Sequence, residues 1–232
     1  MMRDTLTRGL EALGLDASAA GAMCDFAAKL LEKNKVMNLT AITDDEDVAT
    51  LHFLDCACLA KRADWRGKRV VDVGTGAGFP GVPLKLLAPD MELTLLDSLD
   101  KRINFLREAC VGPAFAGTEF VHARAEEFAA ERRGYYDIAV SRAVAALPVL
   151  CELALPLVKT GGEFLAMKSV DCGGELKSAE RAIELLGGEL SGTEDYTIPF
   201  TEVSHRIVRI KKTRATPPKY PRRFAVIKKS PL

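Results

Sequence analysis

The apolar run Val70-Val71-Asp72-Val73 leads into Gly74-Thr75-Gly76-Ala77-Gly78-Phe79-Pro80-Gly81, a segment with four glycines in eight residues. Such a run reads as a buried parallel strand, and glycine serves where the backbone takes positive φ or a ligand comes close. A glycine turn between a parallel strand and a helix is where α/β sheets bind nucleotides. A second apolar run, Glu92-Leu93-Thr94-Leu95-Leu96, ends at Asp97, 23 residues beyond Gly74. A carboxylate there can accept hydrogen bonds from both ribose hydroxyls of a nucleoside. The chemistry these residues suit is the binding of an adenosine-containing cofactor.

Two glycine patterns overlap in the loop. Gly76-x-Gly78-x-x-Gly81 fits the dinucleotide fingerprint, with Asp97 lying 21 residues beyond Gly76. Gly74-x-Gly76-x-Gly78, preceded by Asp72, is similar to motif I of class I S-adenosylmethionine-dependent methyltransferases. A pyrophosphate wants a helix N-terminus with no carboxylate nearby. A sulfonium methionine tail carries an ammonium group and tolerates acids, so Asp72 favours the methyl donor. Asp72 itself reads two ways, as a ligand contact or as a brace for the loop amides. An NAD-dependent oxidoreductase stays as the alternative, although no Tyr-x-x-x-Lys or His–Asp pairing follows the cofactor motif.

At 232 residues the chain suits one α/β domain with an appendage. Lys+Arg and Asp+Glu both number 32 and 48% of residues are hydrophobic, as in a soluble globular protein. Arg3, Asp4, Arg8 and Glu11 break up any signal peptide, and Pro148, Glu152 and Pro156 break the longest apolar segment, so no membrane span is expected. Six scattered cysteines without zinc spacing read as packing thiols in a reduced, cytoplasmic protein, and no metal site is expected. The balanced charge hides an asymmetry. From Val203 to Leu232 there are ten Lys/Arg and no Asp/Glu, leaving 22 basic against 32 acidic residues elsewhere. Arg206, Arg209 and Lys211 lie on an alternating stretch, and Tyr220, Arg222, Arg223 and Phe224 interleave rings with guanidinium forks. These residue types stack on bases and grip phosphates, which points to a nucleic-acid substrate.

Residues 1–62 read as helical. Asp16 can cap a helix through Ala20, Met23, Phe26, Ala27, Leu30 and Leu31, and Thr43-Asp44-Asp45-Glu46 reads as a capping box opening the next. From Lys68 the rhythm becomes strand, turn, helix, with strands expected at 69–73, 92–97, 118–122, 136–141 and 162–168. Helices are expected between them at 81–88, 100–110, 125–132 and 144–158, the last ended by Gly161-Gly162. Alternation of this kind means a parallel sheet with right-handed crossovers. After a helix at 173–187, the segments 192–200 and 204–212 follow as a hairpin, which brings the last strand in antiparallel. The expected fold is therefore α/β, a class I S-adenosylmethionine-dependent methyltransferase (Rossmann-like) sheet, mostly parallel with one antiparallel strand. The expected divisions are an N-terminal helical cap over 1–62, the methyltransferase domain over 63–212 and a basic C-terminal tail over 213–232.

Further motifs occur in the order of one family. They are Asn38-Leu39-Thr40-Ala41-Ile42, His52-Phe53-Leu54-Asp55, the loop ending Gly78-Phe79-Pro80-Gly81, Asp97-Ser98, Lys101-Arg102, Arg124-Ala125-Glu126-Glu127, Ser141-Arg142-Ala143, Lys168 and Tyr220-Pro221-Arg222. From about residue 34 onward the chain resembles the bacterial small-subunit ribosomal RNA methyltransferase G family, also called glucose-inhibited division protein B. The resemblance implies methyl transfer from S-adenosylmethionine to N7 of one guanosine in the small-subunit RNA, alone or in the assembling subunit. It implies that Gly74 and Phe79 line the cofactor site, beside the Gly76, Gly78 and Asp97 that the loop pattern already places there, that Ala125 and Glu126 flank the adenine, and that Arg142 sits between cofactor and substrate. Ala225 and Ile227 depart from the Gly and Pro usual after Tyr-Pro-Arg.

N7 of guanine offers an in-plane lone pair and has no proton to remove, so the reaction needs orientation more than a base. No catalytic acid–base residue is expected; His52 is read as a packed or hydrogen-bonded histidine, and Asp55 is given no catalytic role. Arg142 is the one candidate at the reacting centre, contacting the cofactor or a phosphate. Glu126 reads equally as an acid in the first turn of a helix. A same-fold enzyme acting on another RNA is the nearest alternative, and a monomer is the default.

Overall fold

Alternation along the strands sorts side chains onto two faces of one sheet. The strands are β1 (Arg69–Val73), β2 (Glu92–Asp97), β3 (Thr118–His122), β4 (Tyr136–Arg142), β5 (Val158–Ser169), β6 (Gly188–Thr197) and β7 (Ser204–Lys212). The computed structural model describes residues 1–232 and orders these strands β3-β2-β1-β4-β5-β7-β6. Neighbours from β3 to β5 pair parallel, and β7 runs antiparallel between β5 and β6, as the hairpin pattern predicts. The chain moves outward from β1 in one direction and then jumps to β4, so the strand order reverses between β1 and β4. Open α/β sheets bind ligands at such a reversal, beyond the carboxyl ends of the strands.

Val70, Leu93, Leu95, Ile138, Val140, Leu165, Met167 and Ile207 face one layer, with α1 (Met2–Ala12), α2 (Ala19–Met37), α3 (Asp45–Asp47), α4 (Asp55–Ala60), α5 (Gly81–Leu87) and α6 (Asp100–Ala109). Val71, Val73, Leu96, Ala139, Phe164, Ala166, Val208 and Ile210 face the other, with α7 (Ala125–Glu131), α8 (Leu147–Ala154), α9 (Gly173–Leu185) and α10 (Phe224–Lys229). The N-terminal helices share one core with the sheet, because Leu6, Leu10, Met23 and Phe26 are buried in the same cluster as Val70 and Leu95. Phe26 meets Phe53, Phe79 and Phe105 at centroid distances of 6.3, 6.1 and 5.9 Å, which ties α2 to the glycine loop. Truncating such a ring costs about 3–5 kcal/mol.

Several local expectations differ from what forms. Asp16 accepts from the Ser18 N–H at 2.9 Å in the turn ahead of α2 and does not cap the helix itself. The Thr43–Glu46 box is replaced by Asp44, whose carboxylate accepts from the Glu46 and Asp47 amides, while Glu46 accepts from Thr5 on α1. A π-helical segment, Val48–Leu54, separates α3 from α4 where a plain α-helix is expected. The helix expected over 144–158 is confined to α8 with Pro148 in its first turn. Gly161 and Gly162 lie inside β5, where the pairing with β4 shifts register, and do not end a helix.

The C-terminal segment is packed on the body. Tyr220 and Ile227 are buried, and the Arg222 guanidinium lies on the carboxylate of fully buried Glu152 in α8, with Nε–Oε1 at 2.8 Å and Nη2–Oε2 at 2.6 Å.

Candidate functional site

The glycine loop is held almost entirely by its own neighbourhood. The Gly74 and Thr75 amides donate to the Leu96 carbonyl at 2.8 and 3.0 Å, and those of Gly78 and Phe79 donate to the Thr75 carbonyl at 2.9 and 3.0 Å. The Gly76 N–H donates to Asp97 Oδ2 at 2.9 Å and the Gly81 N–H to Asp72 Oδ2 at 2.8 Å. A pyrophosphate needs a cradle of uncommitted amides, and six of this loop's amides are committed within the protein. Asp72 is fully buried, and its Oδ2 also accepts from Thr75 Oγ1 at 2.7 Å, so it braces the loop from behind. Burial pushes its carboxyl up to about 7. Gly81 has to be glycine for this contact, since a Cβ there would stand 2.5 Å from Leu95 Cδ2 and 2.9 Å from Asp72 Oδ2. Gly74 takes φ 73°, and a Cβ on it would meet Val144 at 2.8 Å.

In front of the loop lies a cleft of about 390 Å³, within the range of small-molecule sites. Gly74, Gly76, Phe79, Asp97 and Arg142 line it, together with Thr40 and His52, which the sequence reading does not place there. Gly78 does not line it, because its missing Cβ points inward at Val82, Leu106 and Phe26. Ala125 and Glu126 line an adjoining pocket that shares Gly74, Asp97, Ser98 and Val144 with the cleft. Asp97 is more committed than a ribose ligand on two hydroxyls requires. Its Oδ2 accepts from Gly76 and from Arg102 Nη1 at 3.2 Å, and its Oδ1 accepts from the Leu99 amide at 2.9 Å. One acceptor position on Oδ1 is left, and a second hydroxyl has to displace Arg102.

The far wall of the cleft is a polar network built around Arg142. Residues 138, 140 and 142 of β4 share a face, which aims Arg142 at the π-helical segment. There the Asp55 N–H reaches back to the Thr50 carbonyl, and the Leu51 carbonyl accepts from Arg142 Nη1 at 3.0 Å. Arg142 Nη1 also donates to Asp55 Oδ2 at 2.8 Å, and Nη2 donates to His52 Nδ1 at 3.0 Å. Asp55 Oδ1 in turn accepts from Tyr196 Oη at 2.7 Å and pairs with His205 Nδ1 at 2.8 Å.

Because a guanidinium only donates, the His52 proton sits on Nε2 and is donated to Thr40 Oγ1 at 2.8 Å. Thr40 is presented by a loop that Asn34 organises, its Oδ1 accepting from the Leu39 and Thr40 amides. The His52 ring stacks on Phe79 at 4.6 Å, and the Arg142 guanidinium lies 5.0 Å from the same ring. Burial and then the Arg142 charge lower the His52 pKa to about 4, so the ring is neutral near pH 7. Burial alone would raise Asp55, but the His205 bond, the Arg142 charge and the Tyr196 hydroxyl outweigh it and hold the carboxyl below its ordinary value. His205 is raised by its bond to Asp55.

His52, Arg142 and Ala143 also line a second chamber of about 470 Å³, so the two spaces share this wall. The second chamber adds Ile42, Leu51, Met167, Lys168, Val203 and His205. Lys168 bonds Glu175 at 2.6 Å and donates to the Ala145 carbonyl at 3.0 Å, which fixes the turn after Arg142. Ala143 in that turn takes φ 54°, a left-handed value uncommon outside glycine.

The basic candidates are dispersed. Arg206 pairs with Asp195, Arg209 with Glu163 and Arg222 with Glu152, whereas Lys211 and Arg223 are exposed. Tyr220 is buried at 6% exposure, so its ring packs against the core and presents no face for stacking. The residues that the sequence does not place at the site are Thr40, His52, Tyr196 and His205. Thr40 stands inside the quoted Asn38–Ile42 motif, which was the available signal; nothing local marks Tyr196 or His205.

Residues 20–203 match the family described as rRNA small subunit methyltransferase G. A protein of Alkaliphilus oremlandii named ribosomal RNA small subunit methyltransferase G is 45% identical over 236 residues, covering 100% of this chain and 99% of its own. One of the same name from Clostridium botulinum is 47% identical over 204 residues, covering 87% of this chain and 85% of its own. Among solved structures, precorrin-6y C5,15-methyltransferase of Geobacter metallireducens superposes with TM-score 0.52 at 14% identity, over 68% of this chain and 86% of its own. M. jannaschii TYW2, solved in complex with AdoMet, superposes with TM-score 0.54 at 14% identity, over 67% and 72%. These neighbours share the class I methyltransferase fold, and no helix here is long and apolar enough to cross a membrane.

Proposed function

Since this chain belongs to the rRNA small subunit methyltransferase G family, we propose that its two adjoining chambers hold the methyl donor and the target base of the small-subunit ribosomal RNA. The first cleft takes S-adenosylmethionine, and the second takes a guanine whose N7 faces the shared wall. The observation that carries this reading is that wall itself. His52, Arg142 and Ala143 border both spaces, so groups bound on either side meet there. When bound, the donor supplies a methyl group already activated by a sulfonium. The dinucleotide alternative is set aside, because the relatives are methyltransferases and the loop amides are committed.

Roles follow from the contacts. Asp97 keeps one acceptor position for a ribose hydroxyl, and Ala125 with Glu126 flank the adjoining pocket where the adenine fits. Gly74 keeps the floor flat enough for close approach, and Phe79 supplies an apolar ring beneath His52. Two of the five guanidinium N–H groups of Arg142 go to Leu51 and Asp55 and a third to His52. The remaining two suit the methionine carboxylate. None of these residues has to remove a proton, since N7 carries none; the wall orients the reactants. Lys211 and Arg223 are exposed cations for the RNA backbone, whereas Arg206, Arg209 and Arg222 are held by Asp195, Glu163 and Glu152. The chain acts as a cytoplasmic monomer, with residues 1–62 as cap, 63–212 as methyltransferase domain and 213–232 as basic tail.

The test is methyl transfer from labelled S-adenosylmethionine to small ribosomal subunits and to their naked RNA. Label is expected at a guanine whose N7-methylated, cationic ring makes the chain cleavable there. Label at another atom, or none despite donor binding, would refute the N7 assignment.

A further inference from the structure

Phe200 stands at the tip of the turn between β6 and β7 with φ 66° and 55% of its surface exposed. A bulky residue in the left-handed region is an outlier, and here burial gives it no compensation. Strain of this kind gathers where a side chain has to be aimed. The turn is nevertheless firmly built. The Ile198 N–H donates to the Val203 carbonyl at 2.9 Å, and the Thr201 N–H donates to the Ile198 carbonyl at 3.1 Å. Thr201 Oγ1 accepts from the Val203 N–H at 3.1 Å. Ile198 is fully buried, and Tyr196, two residues earlier, is bonded to Asp55. The ring is therefore held on a rigid mount connected to the Arg142 network.

Two neighbours give the ring a chemistry. Val203, three residues on, lines the second chamber and is itself 40% exposed. The exposed Arg8 of α1 places its guanidinium 5.1 Å from the Phe200 centroid. An exposed aromatic face backed by a guanidinium suits an unpaired nucleobase with its phosphate. Glu202 is the acid in the turn, and it is exposed to solvent. We propose that Phe200, backed by Arg8, is a stacking platform for an unpaired RNA base flanking the target nucleotide. The proposal rests on the reading of the second chamber as the target-base site.

The test compares the full-length protein with Phe200→Ala, Phe200→Gly and Phe200→Trp. Each is measured for affinity to protein-free small-subunit RNA across a salt series, for S-adenosylmethionine binding and for its melting midpoint. One lost stack corresponds to roughly a tenfold fall in RNA affinity for the alanine and glycine variants. The salt slope should stay constant, because no phosphate contact is removed. Phe200→Trp should restore affinity, and Phe200→Gly should melt no lower than wild type, since glycine takes this φ freely. Donor affinity should be unchanged in all. Equal RNA affinity in every variant, a loss that follows the melting midpoint, or a tryptophan variant as weak as the alanine one would overturn the proposal. Wild-type protein that binds the donor but no RNA would overturn the chamber reading beneath it.

Discussion

Replacing Asp55 by Asn removes the only charge partner of Arg142 while keeping the side chain's shape. Asp55 is buried with 1% side-chain exposure and Arg142 with 15%, so solvent screens the pair little. At about 3 Å and an effective dielectric near 20, their attraction is on the order of 5–6 kcal/mol before desolvation is subtracted. Breaking such a pair from one side costs roughly 3–5 kcal/mol, because the other charge stays buried. An Asn keeps the Tyr196 and His205 bonds only by turning its donating Nδ2 toward Arg142, which puts the expected loss at no less than about 3 kcal/mol. At roughly 2–4 °C per kcal/mol for a chain of this size, the melting midpoint should fall by about 6–12 °C.

The pH dependence of this loss has a definite sign. A lowered carboxyl pKa contributes stability that is present above the ordinary value near ~3.9 and is lost as pH falls through the folded value. Wild type and Asp55→Asn should therefore differ at pH 7 and converge in acid below about pH 4. Denaturant unfolding across pH, with Arg142→Met and the double variant completing a cycle, measures both effects. The double variant should recover more than about 1 kcal/mol of the sum of the singles. A single-variant loss under about 1 kcal/mol, or a gap that persists in acid, would refute the account of Asp55 as the counter-charge.

The two site histidines should titrate in opposite directions when followed by NMR. His52 should stay neutral down to about 4, while His205 should titrate above its ordinary value. The stability tied to His52 is thus present above about 6.5 and lost as pH falls toward 4, and that tied to His205 is lost as pH rises through its folded pKa. A His52 titrating near ~6.5 would mean that the ring is not buried against Arg142 as described. At the other end of the chain, Glu152→Gln should cost about 2–3 kcal/mol by leaving Arg222 half-paired. Limited proteolysis should then release the segment around Tyr220 faster than in wild type, and equal cleavage rates would show that the ion pair does not pin it.

Much of the fold is legible because it depends on near neighbours along the chain. The two-residue alternation of β1, the positive-φ glycines after it and the helix-spaced apolar residues from Ala20 to Leu31 are consequences of local sterics and of which face must leave water. The places where expectation and structure part are those where another element supplies a competing partner. Asp44 takes the cap that Thr43 would have made, and Glu46 turns to Thr5 of α1. Gly161 and Gly162 are carried inside β5 at the register shift between its Val158 and Glu163 pairings with β4, although a glycine pair locally reads as a helix end.

The same division runs through the site. Gly74, Gly76 and Asp97 are readable from spacing, because a strand, a turn and a parallel neighbour place them with little outside help, whereas Phe79 is marked only by the family resemblance. The Arg142 network is different. Arg142 meets Asp55 across 87 positions, and Asp55 meets Tyr196 across 141 and His205 across 150. The basic C-terminal stretch likewise reads as one RNA-facing tail, yet burial of Tyr220 and the Arg222–Glu152 pair turn much of it inward. Periodicity records which face of an element avoids water. It carries no record of which distant polar group will satisfy another once both are buried, and that matching is decided only when the layers close.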